Sequence, residues 1–87
     1  MRYRLVVAPT AVRQLAEELP EKAALACYEF VTGPLLEEPR RVGAPLRGKF
    51  DGLFRARRGE YRVRYRIDDE AAAVIVLDVS HRRDAYH

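Results

Sequence analysis

Between Phe54 and Tyr65 the chain alternates apolar and arginine positions with a period of two. Phe54 and Ala56 interleave with Arg55 and Arg57. Beyond Arg58-Gly59-Glu60, Tyr61, Val63 and Tyr65 interleave with Arg62, Arg64 and Arg66. Side chains along a strand switch faces at every residue. The segment therefore predicts a β-hairpin with one face for a core and one face of guanidinium groups, with Gly59 supplying the positive φ its turn needs.

The pattern changes elsewhere. Arg2 to Ala8 is β-rich and predicts a first strand. Val12, Leu15, Ala16 and Leu19 recur at helical spacing after Pro9-Thr10, with Thr10 as the expected N-cap. A second helix is expected over Glu21 to Thr32, with Ala24, Cys27, Tyr28 and Val31 inward, ending at Gly33-Pro34, and Leu35 to Glu38 add a further turn. Arg40 to Lys49 reads as a loop pinned by Leu46. Ala73 to Val79 is apolar at almost every position, as suits a strand in the middle of a sheet. Ser80 to His87 reads as a polar tail. The expected order is β-α-α-β-β-β: an α+β fold with a small, mainly antiparallel sheet and a helical hairpin packed on one face. The 87 residues suffice for a single domain, 1–87.

Composition narrows the function classes. One cysteine, Cys27, excludes an internal disulfide and a cysteine-based zinc site, and its ordinary reading is a small buried side chain. The apolar part of the N-terminus is too short for a signal peptide, and the apolar run from Ala71 to Leu77 is far short of a membrane span. A cytoplasmic protein without membrane contact, metal or cofactor is expected. The net charge of +3 is unevenly spread. Residues 40–66 hold ten basic and two acidic side chains, whereas the flanking segments 1–39 and 67–87 are net acidic. Charge concentrated on one hairpin face fits a polyanion partner, although an arginine-rich solvated strand would carry the same composition.

Two stretches carry a more specific signal. Pro45-Leu46-Arg47-Gly48, Gly52-Leu53-Phe54-Arg55-Ala56-Arg57 and Gly59-Glu60-Tyr61-Arg62-Val63-Arg64-Tyr65 form one; Val79-Ser80-His81-Arg82-Arg83-Asp84-Ala85-Tyr86 forms the other. With the element order, they resemble the RelE/ParE superfamily of bacterial toxins, and the RelE branch in particular. The resemblance implies the toxin of a type II toxin–antitoxin system: a ribosome-dependent mRNA endonuclease in which a 2′-hydroxyl attacks the adjacent phosphate. It implies a cognate antitoxin, the ribosome with mRNA in its decoding site, and operator DNA reached only through the antitoxin. A ParE-like gyrase inhibitor without nuclease activity, or an inactive antitoxin-binding module, would share the fold.

On that resemblance, Arg62 is the expected phosphate clamp, with Arg55 on the preceding strand and Arg82 beyond the last one. Tyr86 corresponds to a C-terminal tyrosine that stacks on a base or orients the 2′-hydroxyl. His81 is the expected proton shuttle, because an imidazole titrates near neutrality. Arg41, Arg47, Lys49, Arg57 and Arg64 are expected to contact RNA or the ribosome. The lysines that some relatives use as acid and base are arginine or apolar here, and arginine rarely loses a proton. Proton transfer is thus the function with the fewest candidates in the sequence.

Overall fold

The computed structural model describes residues 2–83. Strand β1 (Arg4–Val7) leads into helix α1 (Pro9–Arg13), a π-helical turn over Gln14–Glu18, helix α2 (Glu21–Thr32) and a single-turn helix α3 (Pro34–Glu37). Strand β2 (Ala44–Pro45) and a 3-10 turn at Gly48–Phe50 precede β3 (Phe54–Arg58), β4 (Tyr61–Asp68) and β5 (Ala73–His81). The sheet order is β1-β5-β4-β3-β2, with β1 parallel to β5 and every other pair antiparallel. The expected α+β architecture is therefore present, with a fifth strand in the predicted loop. Among the described residues no helix is long and apolar enough to cross a membrane.

Local chemistry explains the helical half. Thr10 does not cap α1: Ala8 is the N-cap and Pro9 takes the first helical position. The proline ring fixes φ there and its missing N–H leaves no extra orphan donor. The following π-turn closes through Leu19 N–H to the Gln14 carbonyl at 2.9 Å. It aims the Gln14 side chain at β5, where its Oε1 accepts from Val79 N–H at 2.6 Å. That donor lies beyond Val76, the last β5 residue paired with β1, so the glutamine satisfies a backbone group the sheet leaves over.

The core lies between the helices and one sheet face. Cys27, Val31 and Leu35 pack with Ala56, Val63, Tyr65, Val74, Val76 and Val79, all at most 1% exposed. Fully burying one such large aliphatic side chain contributes roughly 1.5–3 kcal/mol. Burial also pushes the Cys27 thiol up from its ordinary value, as expected of an inert core cysteine. Strand β5 is interior as predicted, but its two faces differ: Val74, Val76 and Val79 are buried, while Ile75, Leu77 and Asp78 are only partly covered.

Tyr65 is the largest buried side chain. Its ring stacks on Phe54 at 5.6 Å, and its hydroxyl donates to the Pro39 carbonyl at 2.6 Å. Desolvation raises its pKa to about 12. Because the folded state holds this proton more tightly than the unfolded chain, the contribution is complete below about pH 10 and fades as pH rises towards 12, by about 1.4 kcal/mol per unit. Urea titrations from pH 9 to 12 should show this alkaline loss in the native chain. Tyr65→Phe should remove that component of the slope while lowering stability at neutral pH.

Candidate functional site

The hairpin places the arginines by register. Arg55 faces Arg64, and Arg57 faces Arg62, across β3 and β4, while Phe54–Tyr65 and Ala56–Val63 turn to the core. All four arginines therefore share the face away from the helices. The two strands are joined by Gly59 and Glu60; Gly59 has φ +60° and Glu60 a negative φ, the pattern of a type II′ turn. Strand β5 supplies Asp78 opposite Arg64, Ser80 opposite Arg62 and His81 opposite Tyr61. The predicted polar tail thus begins two residues late: Ser80 and His81 are still strand, held by cross-strand pairing.

At this end of the sheet, Arg57, Gly59, Glu60, Arg62 and Arg82 line a polar cleft of about 210 Å³. Arg62 is half-buried with its Nε sealed from solvent, whereas Arg57 and Arg82 are exposed at the lip. Arg82 is drawn there by its backbone N–H, which donates to the Glu60 carbonyl at 2.8 Å. The Glu60 carboxylate stands 3.3 Å from His81 Nε2 and 3.7 Å from Arg82 Nε. The other ring nitrogen of His81, Nδ1, accepts from Arg83 N–H at 3.1 Å, and Tyr61 packs edge-on against the imidazole at 5.2 Å.

The remaining sequence candidates fall into distinct places. Arg55 lies on the same face, one inward-outward repeat along β3 from Arg57, and does not line the cleft. Arg64 forms a two-pronged pair with Asp78, through Nε at 2.9 Å and Nη2 at 2.5 Å, which neutralises one cation of the face. That hydrogen-bonded carboxylate raises the guanidinium pKa further. Phe50 carries both Lys49, 5.3 Å above its ring centroid, and Arg64 at 5.5 Å, so the 3-10 turn adjoins the basic face. Arg47 is exposed at the start of that turn. Arg41 belongs elsewhere: it pairs with Glu38 at 3.4 Å and borders a separate depression with Tyr3 and Arg40. Tyr86 and His87 lie outside the described residues. Sequence reasoning missed Glu60 and Asp78 as members of this surface. Asp78 was detectable only as the one charge inside an apolar run; Glu60 had no local signal beyond its place in the turn.

On the other side of the molecule, Leu5, Val12, Leu15, Leu25 and Tyr28 border an almost wholly apolar groove of about 460 Å³ between β1 and the helices. Val12, Leu25 and Tyr28 are each at least half exposed there.

A family model described as the ParE toxin of type II toxin–antitoxin systems matches residues 5–86. The chain belongs to this toxin family. Among its relatives, Toxin RelE of Mycobacterium tuberculosis (strain ATCC 25618 / H37Rv) is 49% identical, covering 97% of this chain and 86% of that protein. Toxin RelG of the same strain is also 49% identical, covering 99% and 98%. The toxin–antitoxin complex RelBE2 from Mycobacterium tuberculosis contains a chain that superposes with a TM-score of 0.89 at 48% identity, over 94% of this chain and all of that one. The protein is accordingly a RelE-like toxin of a type II toxin–antitoxin system. In this toxin the arginine face and the apolar groove lie on opposite sides of the same core.

Proposed function

We propose that this toxin is a ribosome-dependent endoribonuclease that cuts mRNA by attack of a 2′-hydroxyl on the neighbouring phosphate. The observation that carries this reading is the convergence of Arg57, Arg62 and Arg82 on one small cleft. In-line attack adds negative charge to the phosphate oxygens, and prepositioned guanidinium groups stabilise it. Arg62 fits the clamp because its half-buried position fixes its direction. Arg82 reaches the same phosphate from the turn just after β5, and Arg55 extends the cationic track along β3 to the next one. Arg57, Arg47 and Lys49 serve RNA binding around the cleft, Arg64 helps shape that face through Asp78, and Arg41 contacts ribosomal RNA from its separate position. Tyr86 stacks on a base or orients the nucleophile. His81, beside the cleft, completes the site.

Purified ribosomes programmed with mRNA, followed by mapping of fragment ends, test this directly. The expected result is cleavage at the codon in the decoding site, leaving a 2′,3′-cyclic phosphate and a 5′-hydroxyl. Growth arrest without any cleavage by purified toxin on ribosomes would overturn it, and gyrase-dependent DNA breaks in its place would establish the ParE-like alternative.

The apolar groove accounts for the antitoxin partner. A chain 48% identical to this one, matched over its full length, occurs in the toxin–antitoxin complex RelBE2. The exposed Val12, Leu25 and Tyr28 match the apolar stripe of an amphipathic helix. Leu25→Asp should weaken antitoxin binding at least tenfold by titration calorimetry, since it places an unpaired charge in the contact. Cleavage by the free toxin should be unchanged.

A further inference from the structure

The proposed ribonuclease needs a group to take the 2′-proton, and His81 is badly placed to supply it. Its Nδ1 lone pair receives the Arg83 N–H at 3.1 Å. A neutral imidazole then carries its proton on Nε2, which faces the Glu60 carboxylate at 3.3 Å. The Nδ1 lone pair is therefore occupied and Nε2 carries the proton, so neither nitrogen offers a lone pair to substrate. Glu60 is the one carboxylate among the described residues lining the cleft. One of its oxygens, Oε2, is flanked by two nitrogens, His81 Nε2 at 3.3 Å and Arg82 Nε at 3.7 Å. A carboxylate held in this way at the edge of three guanidinium groups stands beside any phosphate those groups bind.

We propose that Glu60 is the general base of this site and that His81 is a positioning residue, a neutral imidazole whose Nε2 edge stands 3.3 Å from Oε2 and orients the Glu60 carboxylate. The assignment rests on the ribonuclease reading above. In the step it describes, the Glu60 carboxylate takes the proton of the 2′-hydroxyl. The freed electron pair on O2′ forms the O2′–P bond. The P–O5′ bond breaks with its pair leaving on O5′, which is protonated by water. Glu60 then returns its proton to solvent. Arg57, Arg62 and Arg82 hold the phosphate during the transfer. Arg82 joins the two halves of the site, since it lines the cleft and its main chain is tied to Glu60.

Single-turnover cleavage of ribosome-bound mRNA by the full-length toxin separates the roles. Glu60→Gln should lower the rate by about a hundredfold or more, as removal of a general base does. The toxin concentration giving half-maximal rate should stay the same or fall, because an anion has left a cationic surface. His81→Gln keeps an N–H donor near the position of Nε2 but cannot carry a proton between groups, so it should remain within about tenfold of the unaltered toxin; His81→Ala should lose more. Nitrogen-15 spectra of the isolated toxin should show the Nε2–H tautomer at His81. Cleavage by Glu60→Gln at the unaltered rate, or loss in His81→Gln as deep as in Glu60→Gln, would overturn the assignment, as would an Nδ1–H tautomer. If the unaltered toxin makes no cuts, the ribonuclease reading itself falls and takes this one with it. Cuts by the unaltered toxin with normal activity in Glu60→Gln defeat the base assignment alone. Thermal melting of each variant excludes misfolding as the cause of any loss.

Discussion

Arg62→Ala is expected to slow mRNA cleavage on the ribosome by two to three decades, a loss of roughly 2.7–4 kcal/mol of transition-state stabilisation. The magnitude follows from position. Arg57 and Arg82 are exposed at the lip of the cleft, where water competes for their guanidinium groups, but Arg62 is half-buried between them. A donor held in place needs little reorganisation as charge develops on the phosphate. Arg62→Lys should fall between, since an ammonium keeps the charge but loses the planar fork. Arg57→Ala should mainly weaken binding. None of these side chains belongs to the apolar core, so thermal unfolding should move only slightly. A steep drop in the melting temperature of Arg62→Ala would instead mark that arginine as structural.

The cleft was partly legible in the sequence. Strict alternation from Phe54 to Tyr65 specifies both the hairpin and its two faces, because a one-residue slip would put every arginine into the core. Arg62 and its neighbours could be named on that ground. The end of β5 could not. Ser80 and His81 are polar, and they stay in the strand because Arg62 and Tyr61 pair with them, a contact between segments far apart in the chain. Glu60 was hidden for the same reason: its relation to His81 exists only once β4 and β5 are aligned. Ala44-Pro45 offers too few residues for any period, so β2 read as loop. Thr10 misled because a hydroxyl near a helix start is a common cap, while the adjacent Pro9 had already set the start of α1.

Gly43→Ala is expected to be the most damaging small change outside the site. A methyl group at Gly43 would overlap the Tyr65 hydroxyl and lie 2.9 Å from the Arg55 carbonyl oxygen. The backbone there cannot retreat without disturbing β3, and Tyr65 cannot move without leaving Phe54 and the Pro39 carbonyl. Overpacking costs about 1–3 kcal/mol, and a lost buried hydrogen bond adds about 1–3 kcal/mol. Against the roughly 5–15 kcal/mol of a typical domain, this should lower the melting temperature by about 10 °C or more. Adding Tyr65→Phe to Gly43→Ala should recover part of the loss, because the nearest obstructing atom is removed. Strictly additive effects of the two changes in denaturant titrations would show that they do not meet.

The two-residue strand at one margin of the sheet has a consequence for the toxin once its antitoxin is gone. Ala44–Pro45 closes that margin with few hydrogen-bonding groups, and the proline ring brings no N–H at all. A second molecule finds no template there on which to lengthen the sheet. A freed toxin is therefore expected to stay dispersed at this border, leaving the guanidinium-bearing surface beside it uncovered.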